Sequence, residues 1–232
     1  MRRFLHLHFD APMMSFGGIR IDALPDAYPV PTASMVAGLI ANAFGVLRAQ
    51  TDLLQRLQDA IAVASGVVRH GTRVVDFQTA DLGKPHMRGP MWTRSGPPFA
   101  RAGQGVAEKR QLQWRPYVAD ADVHTVVWCV GDPPWTLEQM AERIAEPARP
   151  LFIGRANCPP VRPLCPGIVE AETAEAALRA AAGDRLRELH LPLDEAGMEP
   201  EDRLVSVHGR RLWDLNVHAG ADPVVVRTVR AA

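Results

Sequence analysis

Cysteine is scarce in this chain: Cys129, Cys158 and Cys165 are the only three in 232 residues. The number is odd and the spacing is not CxxC, which argues against a disulfide framework and a zinc ribbon. Uninterrupted apolar runs are short. None approaches the roughly 18 residues that a helical membrane span needs, so no membrane partner is expected. No GxxxxGK phosphate loop, GxSxG elbow or HExxH helix occurs. Net charge is zero, so bulk charge favours no polyanionic partner. What remains, 47% hydrophobic and 22% charged, is the composition of a globular protein able to bury a core. At the N-terminus, apolar residues alternate with His6 and His8 instead of forming a signal-peptide core, and a cytoplasmic location is expected.

The neutral total hides an asymmetry. From Arg69 to Tyr117 there are nine Lys/Arg (Arg69, Arg73, Lys84, Arg88, Arg94, Arg101, Lys109, Arg110, Arg115) against three acids (Asp76, Asp81, Glu108). That segment carries +6 and the remainder −6. Residues 82–107 contain no acid, are rich in Gly and Pro, and interleave the basic side chains with Trp92 and Phe99. Cations for phosphates and aromatic faces for bases suit single-stranded nucleic acid.

Periodicity outlines the elements. Leu5, Leu7 and Phe9 alternate in a first strand over residues 3–9. A helix begins at Thr32 or Ser34 after Pro31, with Val36, Leu39, Ile40 and Ala43 on its buried stripe. A second helical pattern runs from Asp52, strands are expected near 62–69, 73–80 and 122–130, and Thr136 to Gln139 reads as a capping box. A strand at 151–153 closes a β-α-α-β-β-(basic excursion)-β-α-β order, an α+β plan of the ferredoxin-like or RRM type over residues 1–150. Residues 151–232 read as a smaller β-rich C-terminal domain, with one Ala-rich helix (173–182) and strands near 185–191, 203–208 and 223–229.

Candidate chemistry is sparse. His6 and His8 share a strand face but have no carboxylate or Cys partner close by in sequence, so they read as ordinary strand residues and no metal or other cofactor is expected. Asp120 and Asp122 read as a solvated strand edge. Metal-independent RNA cleavage would draw on His70, His86, His124 or His218, and nothing in their spacing selects one. Binding features are richer. The helix N-terminus at Thr32 and Ser34 offers N–H groups and hydroxyls to an anion. The stretch Leu151-Phe152-Ile153-Gly154-Arg155-Ala156-Asn157-Cys158-Pro159-Pro160-Val161-Arg162-Pro163-Leu164 sets two arginines on a Pro-stiffened loop suited to phosphate.

Four blocks in order resemble the CRISPR-associated CasD family, a subunit of the subtype I-E Cascade complex. They are Ala11–Gly17 (family GP-[LM]-Q-[SA]-W-G), Pro31–Ser34 into Gly38–Arg48, Val75–Thr79 followed by Trp114–Ala121 (family REYLxDA), and the Leu151–Leu164 stretch (family GR[KR]SCPPxxPL). Phe16 stands for a usual Trp, Met14 for Gln, Pro116 for Glu, and Ala156-Asn157 for a basic-Ser pair. The resemblance implies a non-catalytic subunit that binds the 5′ handle of the crRNA and caps the backbone filament. It implies that the excursion is a protruding basic thumb at about 81–110 packed against a backbone subunit, with the large subunit nearby and target DNA reached only through the assembled complex. The residues expected at RNA are Met13, Thr32, Ser34, Lys84, Arg88, Trp92, Arg94, Arg101, Lys109, Arg110, Arg115, Tyr117, Arg155 and Arg162. The alternatives are a metal-independent endoribonuclease that processes CRISPR repeat RNA, and a scaffold that uses the thumb only for docking.

Overall fold

The apolar alternation at the N-terminus becomes an inner strand of a sheet covered on both faces. In the computed structural model, residues 1–18, 27–81, 91–93, 96–99 and 110–229 are described. In chain order the first elements are β1 (Arg2–Asp10), β2 (Met13–Met14), α1 (Ala33–Ala43), α2 (Thr51–Asp59), β3 (Ile61–Arg69) and β4 (Thr72–Asp81). There follow β5 (Met91–Thr93), β6 (Gly96–Phe99), β7 (Arg110–Ala119), β8 (Asp122–Cys129), α3 (Leu137–Ala145) and β9 (Gly167–Ala171). The last are α4 (Ala174–Ala182), β10 (Glu188–Pro192), α5 (Leu193–Ala196), β11 (Arg203–Val207), β12 (Arg211–Leu212), β13 (Val217–His218) and β14 (Asp222–Thr228).

Seven strands form one antiparallel sheet in the order β11-β14-β10-β3-β8-β1-β9. Leu5, Leu7 and Phe9 enter the larger core with Val36, Ile40, Leu57, Val127 and Met140, so α1, α2 and α3 cover that face. Phe4, Ala64, Val126 and Trp128 enter a second core with Ala174, Ala177 and Leu178 of α4 on the other face. Each fully buried Leu, Ile or Phe contributes about 1.5–3 kcal/mol. Gly66 on β3 makes room for the segment after α4: a Cβ there would lie 2.5 Å from Leu186 Cδ2.

The helix starts are set locally, as the sequence predicts. Thr32 caps α1 by accepting from the Met35 N–H, and Thr173 caps α4 by accepting from the Ala176 N–H at 3.1 Å. The Thr136 capping box is complete, with the Gln139 N–H donating to Thr136 Oγ1 at 3.3 Å and the Thr136 N–H to Gln139 Oε1 at 2.9 Å.

Two expectations are corrected. Residues 151–153 are not a strand. Ile153 accepts one bond from the Ser15 N–H and donates one to the Cys158 carbonyl, which pins a loop and builds no ladder. The strand beside β1 is instead β9, after the loop. The basic excursion is entered and left by a long ribbon, in which β4 pairs with β7 from Thr72↔Ala119 to Asp81↔Arg110. The sequence reading missed β7 because its polar residues and Pro116 mask the alternation. Pro116 is tolerated because β2 pairs only at Val118 and Ala119, leaving the Pro116 position bordered by β4 alone.

Candidate nucleic-acid interface

Motif blocks far apart in sequence meet at one place. Met13 and Met14 pair with Ala119 and Val118, which joins the first block to the third. The Ser15 N–H donates to the Ile153 carbonyl at 3.1 Å, which joins the first to the fourth. At Gly154 the approach is so close that a Cβ would lie 1.6 Å from the Ser15 carbonyl oxygen, and its φ is +82°. Only glycine meets both demands. The Tyr28 N–H donates to the Gly17 carbonyl and the Ala148 N–H to the Ala43 carbonyl, so the segments around the second block border the same region.

Arg155 is held from below. Its guanidinium carbon lies 4.5 Å from the centre of the Tyr117 ring, and Nη1 donates to the Pro116 carbonyl at 3.0 Å. Tyr117 is fully buried, and its hydroxyl accepts from Asn157 Nδ2 at 3.0 Å. Tyr117 therefore orients Arg155 and is not a stacking platform for a base. The guanidinium has five N–H donors and gives one to Pro116, so a fork remains for a phosphate. Cys158 is buried beneath the loop, and burial pushes its thiol pKa up.

Arg162 forms an ion pair with Asp10, Nη2 to Oδ2 at 2.8 Å, and Arg69 lies 3.9 Å from the other Asp10 oxygen. Arg69 Nε also donates to the Asp120 carbonyl at 2.6 Å. One carboxylate thus gathers two arginines and leaves the group with an excess positive charge. Next to it is a recess lined by Arg69, His70, Arg73, Gly71, Val118 and Ala121. Arg69 and Arg73 were in the basic count but not among the expected contacts. The signal that finds them is the β3–β4 turn, which carries them to the base of the ribbon.

The remaining expected residues fall into three groups. Met13 is partly buried against the larger core, and Arg115 donates to Gln113 Oε1 at 2.9 Å on β7. Thr32 and Ser34 are buried, and the anion site expected there is closed. The Ser34 N–H donates to the Gly209 carbonyl at 3.0 Å and Thr32 Oγ1 is used as the cap, so the C-terminal segment occupies that helix end. Lys84, Arg88, Arg94, Arg101 and Lys109 lie outside the described residues, and Trp92 and Arg110 are placed by their backbone alone.

Two expectations about acids and histidines are also corrected. Asp122 is not at a solvated edge; it is 7% exposed, and His8 Nε2 hydrogen-bonds its Oδ1 at 2.8 Å. The carboxylate partner that His6 and His8 lacked in sequence is supplied across the sheet by β8. His124 joins them, with Nδ1 2.8 Å from His6 Nε2. Burial first and the neighbouring His8 second lower the His6 pKa to about 4. Burial, then His8 and His6, lower that of His124 to about 3.

Comparison with known proteins agrees with the geometry. A family model described as CRISPR-associated protein (Cas_Cas5) matches residues 4–224. The CRISPR system Cascade subunit CasD of Escherichia coli (strain K12) is 24% identical over 180 residues, covering 77% of this chain and 76% of that protein. A chain of a solved CRISPR RNA-guided surveillance complex superposes with a TM-score of 0.70 at 21% identity, covering 97% of this chain and 89% of its own. A solved Cas protein gives 0.61 at 24% identity, covering 98% and 95%. The two structures share this mixed α and antiparallel β fold. With the family model matching nearly end to end, the chain belongs to the CRISPR-associated Cas5 family.

Proposed function

We propose that this chain is a non-catalytic RNA-binding subunit of a type I-E Cascade surveillance complex. It holds the 5′ handle of crRNA and caps one end of the backbone filament in cytoplasmic antiviral defence. The observation that carries the reading is the convergence of the Ala11–Gly17, Trp114–Ala121 and Leu151–Leu164 blocks around Arg155, which rests on Tyr117. The Met14–Val118 and Ser15–Ile153 links each span more than a hundred residues and bring the blocks together beside a braced cation. Arg155 takes one phosphate, and Arg162, Arg69 and Arg73 continue a positive track toward the ribbon.

In this reading β9-β1-β8-β3 is a ferredoxin-like core, with α1–α2 and α3 as its two crossovers. Residues 1–150 supply three strands of that core, and 151–232 supply its fourth, β9, together with the smaller β-rich part, whose strand β10 borders β3. The β4–β7 ribbon is the base of the thumb. Val74, Val75 and Phe77 are exposed along it, and Phe77 packs on Trp114 with ring centres 5.2 Å apart. Such an apolar strip suits a neighbouring backbone subunit. The large subunit docks nearby, and target DNA is met only through the assembly.

The test is a binding titration of the purified chain with mature crRNA of its own locus and with the same RNA scrambled in its 5′ handle. Preference for the intact handle, with the RNA recovered uncut, is expected. Equal affinity for both contradicts handle recognition, and a metal-independent cut in the repeat favours the endoribonuclease alternative. Of the histidines available to such an enzyme, His124 is 3% exposed and out of reach of a backbone phosphate.

A further inference from the structure

On the α4 face of the sheet, four polar side chains are stacked where an apolar core is the rule. His6, His8, His124 and Asp122 are each at most 9% exposed. The pairing register sets His8 opposite His124, and their rings stack with centres 4.1 Å apart. Asp122 Oδ1 lies 2.8 Å from His8 Nε2 and 3.6 Å from His124 Nε2. His124 Nε2 is buried and has no hydrogen-bond partner among the described residues. A buried imidazole nitrogen left unpaired is costly and calls for an explanation.

We propose that His8, Asp122 and His124 form a site for a divalent transition ion of the zinc type, with His6 as the outer partner that orients His124. Two imidazole nitrogens and one carboxylate oxygen are the donor set such an ion prefers. Their candidate ligand atoms all lie within 4.8 Å of one another. A tetrahedral ion with bonds of about 2.0–2.1 Å sets its ligands roughly 3.3 Å apart. The two separations from Asp122 Oδ1, 2.8 and 3.6 Å, bracket that value. Because an ion lies in the plane of each imidazole it binds, His8 turns out of its stack on His124 to bring both lone pairs onto it. The ion takes up the unpaired Nε2 of His124. It takes the place of the proton between His8 Nε2 and Asp122, and that proton moves to Nδ1, so His8 binds as the neutral Nδ1–H tautomer. His6 Nε2, 2.8 Å from His124 Nδ1, then accepts the Nδ1–H and fixes the tautomer that exposes Nε2 to the metal.

The site clamps β1 to β8 next to the β7–β8 turn, so it staples two strands already paired and requires no large movement. Arg185 opposes it. Its Nη1 lies 3.9 Å from Asp122 Oδ2, and a cation there competes with the metal for the carboxylate.

The experiment uses the full chain without a polyhistidine tag, stripped with chelator and titrated with Zn²⁺. Metal content is read by mass spectrometry after gel filtration, and Tm by scanning calorimetry. About one Zn²⁺ per chain and a Tm that rises with free Zn²⁺ are expected. Co²⁺ in its place gives the visible absorption of a four- or five-coordinate ion. His6→Gln weakens Zn²⁺ about 10- to 100-fold, and the near-isosteric Asp122→Asn weakens it at least as much. Arg185→Ala, at a side chain 60% exposed, keeps the fold and tightens Zn²⁺ by about threefold or more, because a nearby positive charge is removed. No uptake at micromolar free Zn²⁺ overturns the proposal. So does uptake that is undiminished by both Asp122→Asn and His8→Gln, which places the ion elsewhere.

Discussion

Arg155 and Tyr117, 38 positions apart in sequence, form one unit: the guanidinium carbon lies over the ring, 4.5 Å from its centroid, while Nη1 donates to the Pro116 carbonyl. A stacked Arg loses less freedom on gripping a phosphate than a free one, because the ring has already fixed its plane. Arg155→Ala is expected to weaken handle binding by about 1–3 kcal/mol, the range of a charge-assisted contact. Arg155→Lys should recover little of this, since an ammonium has neither the fork nor the flat face. Filter binding at fixed salt checks both, and a wild-type affinity for Arg155→Ala shows that the loop is structural.

Tyr117→Phe keeps the ring beneath Arg155 but strands Asn157, whose Nδ2 donates to the hydroxyl at 3.0 Å. Stability is expected to fall by about 1 kcal/mol, with RNA affinity reduced less than by Arg155→Ala. Urea denaturation and the same binding assay separate the two effects.

Gly154 and Gly17 have the same φ of +82° but different surroundings. A Cβ at Gly154 collides with the Ser15 carbonyl oxygen at 1.6 Å, whereas nothing lies within 4 Å of one at Gly17. Gly17→Ala is expected to cost about 1 kcal/mol, the backbone penalty alone. Gly154→Ala should cost clearly more, above about 2 kcal/mol, because the two motif blocks must separate. Equal midpoints in urea for the two variants would show that the close approach carries no weight.

Arg227 on β14 is the hub of a second charge group, with Nη1 2.8 Å from Glu175 and 2.9 Å from Glu199, and Nη2 2.8 Å from Asp202. The Asp202 side chain is 2% exposed. Arg227→Leu leaves that carboxylate buried without its cation and is expected to destabilise the fold by about 3–5 kcal/mol. The double change Arg227→Leu with Asp202→Leu should recover a large part of the loss, read as a higher Tm than the single variant.

Much of the scaffold was legible because its determinants are local. Thr32, Thr136 and Thr173 cap helices within three residues of themselves, and Leu5, Leu7 and Phe9 alternate over one strand. The missed features depend on distant partners. β7 needs β4, some forty residues earlier, before Trp114–Ala119 has a reason to be extended. Leu151–Ile153 has strand composition but is held by single bonds to Ser15 and Cys158. Asp122 reads as an exposed acid until β1 sets His8 beside it and α4 covers that face. The same holds for the candidate site: the two loop arginines were visible in the sequence, but the ring under Arg155 and the carboxylate on Arg162 were not. The closure of the α1 N-terminus by Gly209 lies across 175 residues of sequence and no local pattern announces it.

The central claim is that this chain lives on a defined RNA end. The most direct measurement is to tag it in its own host, purify it at mild salt and sequence the RNA that travels with it. A single class of short RNAs sharing one 5′ end is the predicted result. Protein free of RNA, or RNA with random 5′ ends, would contradict the account.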